Sequence, residues 1–172
     1  MKNSEFDEAY DDDEKRIRGA ILTGPIRGLL RGAPITVAPA TTLEETVAVL
    51  QKSHVGCALV VGENGRLEGV FTERDLLNRV VGRGVDLKRA RVSEHMTRNP
   101  ETLGPDDRVA WALNRMNVGG YRHVPIVDGD GRPVGVLSVK DIVDFIVDLF
   151  PAEVLNLPPD PSQESASAPD GG

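Results

Sequence analysis

The chain has 172 residues, one cysteine, 40% hydrophobic and 4% aromatic residues, and 20 Lys and Arg against 27 Asp and Glu. That length suits one domain or two small ones sharing a core; one cysteine excludes an internal disulfide framework, and three histidines leave little for a structural zinc site. A formal charge of −7 disfavours nucleic acid as a partner, no apolar run is long enough to span a bilayer, and the acidic start does not read as a signal peptide, so a cytoplasmic protein without membrane insertion is expected.

The charge is unevenly placed. Residues 1–14 hold seven acids and one base, and residues 151–172 hold four acids and no base, which leaves 19 bases against 16 acids between them. The acidic first segment and the Pro/Ser/Gly-rich last one cannot bury enough apolar surface to offset the entropy of ordering, and both are expected to be disordered. Residues 15–25 read as a lead-in with a short helix carrying Ile17, Ala20 and Ile21 on one face.

From residue 26 the chain repeats itself. A shift of 66 residues aligns 26–81 with 92–147 without a gap, with identities at Pro34/Pro100, Thr36/Thr102, Gly65/Gly131, Gly69/Gly135 and Asp75/Asp141 among others. Because identities fall on turn residues, in register with the apolar pattern, the chain carries an internal duplication, divided as 26–86 and 87–150. Each copy reads β-α-β-β-α. An extended piece (34–37; 100–103) leads to a helix starting near Thr42 or Asp107, with Leu43, Val47, Leu50 and Val109, Leu113, Met116 at helical spacing. Strands at 58–61 and 124–127 follow, then a tight turn, for which Asn64-Gly65 supplies a positive-φ dipeptide, and strands at 67–71 and 134–137. These run into helices at 72–81 and 138–149. A unit this small does not close a core, so two copies are expected to pack sheet against sheet in an α/β (α+β) fold.

The junctions Gly69–Asp75 (GVFTERD) and Gly135–Asp141 (GVLSVKD) share one pattern: Gly, two apolar residues, Thr or Ser, two residues, Asp. Thr72 and Ser138 fit helix N-caps, with Asp75 and Asp141 completing a capping box. The same geometry offers amides and a hydroxyl to a phosphate and a carboxylate to a ribose diol. The two readings are compatible.

With GVFTERDLL, VSEHMTRNP and YRHVPIVD in this order, the chain resembles a tandem pair of CBS domains, a Bateman module, over about residues 25–150. The resemblance implies two repeats with pseudo-twofold symmetry, homodimers, and clefts for AMP, ADP, ATP or S-adenosylmethionine as a regulatory ligand rather than a catalytic cofactor. By position it places Asp75 and Asp141 on ribose hydroxyls, Thr72 and Ser138 at the phosphate, Thr36 and Thr102 beside the base, and Arg122 and His123 near the phosphates; Gly69, Gly135 and Lys140 belong to the same junctions. Gly56 and Cys57 match Arg122 and His123 in the first copy, so one cleft is expected to bind an anion better.

Other residues read as structure. Cys57 has no adjacent base and reads as a buried small residue, while Trp111 and Met116 suggest packing or a dimer face. Arg83, Lys88, Arg89, Arg91 and Arg98 form a solvated connector or a basic rim around the clefts. No residue set supports catalysis. The expectation is a regulatory sensor that binds an adenosine nucleotide and signals to a partner protein, with a ligand-free dimerisation scaffold as the alternative.

Overall fold

A computed structural model describes residue 15 and residues 18–149. The acidic and Pro-rich tails expected to be disordered, and Ile17 of the lead-in helix, lie outside the described residues. In chain order the elements are a helix α1 (18–23), a 3-10 turn (Ile26–Leu29), β1 (Thr36–Val37), α2 (Leu43–Ser53), β2 (Cys57–Val61), β3 (Leu67–Thr72), α3 (Glu73–Arg79), α4 (Val92–His95), β4 (Thr97–Arg98), α5 (Val109–Gly119), β5 (His123–Val127), β6 (Pro133–Ser138) and α6 (Val139–Leu149).

Local chemistry sets most boundaries. Thr42 caps α2 in a full capping box: its hydroxyl accepts from Glu45 N while the Glu45 carboxylate accepts from Thr42 N at 3.0 Å. α5 starts later than expected, at Val109, because Asp107 turns its carboxylate back to accept from Gly104 N at 2.7 Å. The expected strand at 100–103 contracts to one parallel bridge, Leu103 to Ile126.

The hairpins also differ from expectation. Gly65 (φ 76°) and Gly131 (φ 78°) alone take left-handed backbone, and Asn64 does not. Gly62 N donates to Arg66 O at 3.0 Å around a three-residue loop, and the register shifts between Val60 and Val61; the second copy repeats this with Asp128 and Arg132. A three-residue loop ending in a left-handed glycine needs one positive φ, so Asn64 is free to accept from Arg66 N through its side chain.

Sheet order is β1-β2-β3-β4 for one sheet and β5-β6 for the other. The edge strand β4 belongs to the second copy yet pairs with β3 of the first. This exchange runs throughout. Ile26 and Leu29 are buried with Val109, Met116, Val124 and Ile142 of the second copy, while Val92 and Met96 are buried with Leu43, Leu50, Val60 and Phe71 of the first. Three backbone hydrogen bonds from Ile26, Arg27 and Val109 to Asp107, Pro105 and Gly24 recur from Val92, Ser93 and Leu43 to Thr41, Pro39 and Ala90. Each recurrence is a shift of 66 residues that swaps the copies, so the two repeats are related by a pseudo-twofold axis. Leu59 and Val70 from one sheet meet Val136 from the other, and Leu67 N donates to Gly131 O at 3.0 Å between the hairpins.

Candidate functional site

The pseudo-twofold arrangement leaves two clefts between the repeats. The first, with a volume of about 470 Å³, is walled by the β3–α3 junction (Thr72, Asp75, Arg79) and by Asn99, Glu101 and Tyr121 of the second repeat. The second, about 650 Å³, is walled by the β6–α6 junction (Ser138, Lys140, Asp141) and by Pro34, Ile35 and Val55 of the first. Both volumes suit small-molecule sites, which run from roughly 300 to 1,000 Å³.

The capping boxes anticipated at both junctions are formed. Thr72 Oγ1 donates to Asp75 Oδ2 at 2.7 Å, and Thr72 N donates to the same oxygen at 2.9 Å. Ser138 repeats this toward Asp141 Oδ2 at 2.6 and 2.8 Å. One carboxylate oxygen in each junction is thereby committed to the helix start.

Arg122 and His123 line both clefts rather than one, as do Gly56 and Glu73. The anticipated difference between a basic and a small-residue cleft is thus recast by the axis. The starts of β2 and β5 meet there, and Gly56, having no side chain, leaves room for the Glu73 carboxylate: a Cβ on Gly56 would lie 3.0 Å from Glu73 Oε2 and in ordinary contact with the His123 ring. Burial lowers the His123 pKa from 6.5, and Arg122 and Arg74 add to this against Glu73 and Asp141. Arg122 is exposed and presents its guanidinium to both clefts.

The structure therefore brings Thr72, Asp75, Arg122 and His123 to one cleft, and Ser138, Lys140, Asp141, Arg122 and His123 to the other. It does not bring Thr36, Thr102, Gly69 or Gly135 to either. Thr36 pairs with Leu59 in β1 and is exposed; Ile35, one residue earlier, lines the second cleft, and alternate residues of an extended chain face opposite ways. Thr102 lines a shallow surface hollow, whereas its neighbour Glu101 lines the first cleft. Gly69 packs under the Met96 side chain, and a Cβ on Gly135 would meet Leu30 Cδ2 at 2.9 Å, so both glycines serve the exchange of lead-in segments. Of the connector bases Arg83, Lys88, Arg89, Arg91 and Arg98, none lines either cleft.

Arg79, Glu101 and Tyr121 are among the lining residues that the sequence does not announce. Arg79 lies one helical turn after Asp75, and its Nε is 3.3 Å from Asp75 Oδ1; the i, i+4 spacing is the signal that was available. Tyr121 donates to Glu101 Oε2 at 2.6 Å, and Arg115 donates to the same oxygen at 3.0 Å. This bond and the Arg115 charge hold Glu101 below the usual carboxylate range, while burial and the same bond push Tyr121 up to about 12. Their distance in sequence hid this pairing.

Two β-α-β-β-α repeats that exchange their lead-in segments across a pseudo-twofold axis, with a cleft on each side, define a duplicated α+β module. The chain belongs to the CBS domain family, which residues 26–82 and 92–148 each match. An uncharacterised 17.7 kDa protein of Acidianus ambivalens is 28% identical over 113 residues, covering 66% of this chain and 67% of that one. In other curated relatives the matched stretch is a smaller part, down to 15% of the length. A CBS domain protein from Pyrobaculum aerophilum, solved in complex with AMP, is 29% identical with a TM-score of 0.65 over 72% of this chain and 98% of that one. A CBS domain pair solved with 5′-methylthioadenosine and S-adenosyl-L-methionine is 26% identical with a TM-score of 0.65, over 72% and 96%. No helix among the described residues is long and apolar enough to cross a membrane.

Proposed function

We propose that this chain is a regulatory sensor that binds an adenosine nucleotide, AMP, ADP or ATP ahead of S-adenosylmethionine, between its two repeats. The carrying observation is a cleft where a capped strand-to-helix junction, Ser138 to Asp141, faces the Arg122 guanidinium and the His123 ring from the same repeat and an apolar wall from the other. An ammonium and a guanidinium suit a phosphate, the carboxylate oxygen that the cap leaves free suits a diol, and the apolar wall suits a purine. The solved relatives with AMP and with S-adenosyl-L-methionine support the ligand class.

Binding regulates only if two states of the protein, or two assemblies, differ in ligand affinity. In this reading the chain works as a homodimer and passes the difference to a partner protein. Trp111 and Val118, 57% and 77% exposed and seven residues apart on α5, supply an apolar face for the homodimer contact. Titration calorimetry with AMP, ADP, ATP and S-adenosylmethionine at millimolar concentration tests the reading. Saturable binding of one of them is expected, and no binding of any overturns it in favour of a ligand-free scaffold.

A further inference from the structure

The two junction carboxylates are alike in sequence and unlike in what surrounds them. Asp75 is 9% exposed and both its oxygens are engaged. Oδ2 holds the cap of α3, and Oδ1 faces Arg79 Nε at 3.3 Å and accepts from Thr97 Oγ1 at 3.4 Å. Arg79 is itself fixed. Its Nη1 donates to the His95 and Met96 carbonyls at 2.9 and 2.7 Å, and its Nη2 donates to Thr97 Oγ1 at 3.1 Å. The guanidinium thus ties α3 to the lead-in of the other repeat and covers the free edge of Asp75.

In the second repeat the counterpart of Arg79 is Phe145, which packs on the core and has no donor to offer. The counterpart of Thr97 is Arg31, which pairs with Asp144 and Asp148 at 3.3 and 3.4 Å rather than with Asp141. Asp141 Oδ1 consequently has no hydrogen-bond donor among the described residues, and Asp141 lines its cleft half-buried.

The opposite walls differ as well, and independently of the carboxylates. Where the second cleft presents Ile35 and Val55, the first presents the counterparts Glu101 and Tyr121, hydrogen-bonded to each other. Placing a purine against that wall would take a charged carboxylate out of water, whereas the aliphatic pair gains from being covered.

We infer that the chain holds one nucleoside, in the cleft of Ser138 and Asp141, and that Asp75 is a strut locked by Arg79 rather than a second ribose acceptor. This rests on the nucleotide-sensor reading and sharpens it: of the two junctions, one recognises the diol and the other fastens the repeats together.

Calorimetry with AMP and 2′-deoxy-AMP on the full chain tests it. One AMP per chain is expected, and Asp141→Asn weakens AMP about tenfold or more, the effect of losing hydrogen bonds to a charged acceptor. Removing the 2′-hydroxyl weakens binding in the wild type and in Asp75→Asn, and does nothing further in Asp141→Asn. Arg79→Met, which keeps the carboxylate of Asp75, covers the case in which Asp75→Asn fails to fold; it leaves the affinity of the Asp141 cleft for AMP unchanged. Two equivalents of AMP in the wild type, or a 2′-hydroxyl effect that survives in Asp141→Asn, overturns the inference and leaves the sensor reading standing. No binding of AMP together with no binding of the other adenosine ligands overturns both.

Discussion

Gly69 lies directly under the side chain of Met96, so a residue in the middle of β3 in one repeat is shaped by the lead-in segment of the other. The same relationship returns between Gly135 and Leu30, 66 residues away in each case. Met96 is 4% exposed and part of the first repeat's core, whereas Leu30 only borders the second core. Gly69→Ala is therefore expected to destabilise the fold by about 1–3 kcal/mol, the usual cost of forcing a methyl into a packed core, and Gly135→Ala by less. Urea unfolding of the two variants measures this. Equal and negligible losses would mean that the glycines are not there for packing.

The two capping aspartates should differ in stability as they differ in surroundings. Each forms a capping box, worth about 1 kcal/mol. Asp75→Ala also strips Thr97 and Arg79 of their shared acceptor; the Arg79 side chain is 44% exposed, so its ion pair counts for little, and the buried carboxylate carries most of the effect. Asp75→Ala is expected to cost about 1–2 kcal/mol more than Asp141→Ala by thermal or urea unfolding. Equal losses would argue against the strut.

Burial, with the Asp75 charge behind it, pushes the Cys57 thiol up to about 12. The thiolate is the form that reacts, so the native protein at about pH 8 is expected to resist iodoacetamide while the urea-unfolded chain is labelled quickly. Mass spectrometry after timed labelling reads the difference. Rapid labelling of the folded protein would place Cys57 at an open surface.

His123 gives the protein a pH dependence of definite sign. Its pKa in the folded state lies below 6.5, first through burial, then through Arg122, with Glu73 and Asp141 opposing and Arg74 adding. On acidification the unfolded chain takes up this proton before the folded one, so stability is lost as the pH falls through and below 6.5, and recovered as it rises. His123→Gln is expected to flatten that part of a melting-temperature profile recorded between about pH 5 and 7.5, the range in which histidines titrate. An unchanged slope in the variant would assign the effect elsewhere.

Much of this is legible in the amino-acid sequence. The 66-residue duplication, the order of elements and the capped junctions rest on local signals: a Thr or Ser three residues before an Asp, a glycine at a hairpin, aliphatic residues at helical spacing. Where the local signal is ambiguous, sequence and structure part. Asn64-Gly65 looks like a two-residue turn, yet the bulge between Val60 and Val61 lets Gly65 alone take the positive φ. The family resemblance places Thr36 and Thr102 beside the base, whereas the residues that line the clefts are their neighbours Ile35 and Glu101, one position away along extended chain, where one position reverses the face.

Spacing alone encodes caps, turns and amphipathic faces, so the doubled β-α-β-β-α module with a hydroxyl and a carboxylate at each strand-to-helix junction is readable from the chain. Which carboxylate stays open is not, because that depends on how one repeat packs against the other. The Asp75–Arg79 pair is written in the chain at i, i+4, but what holds Arg79 over Asp75 is the pair of carbonyls of His95 and Met96. Those belong to the lead-in of the other repeat, brought there by the exchange across the axis. Hydrogen bonds to backbone carbonyls depend on where the chain passes and not on which side chains it carries, so no motif announces them.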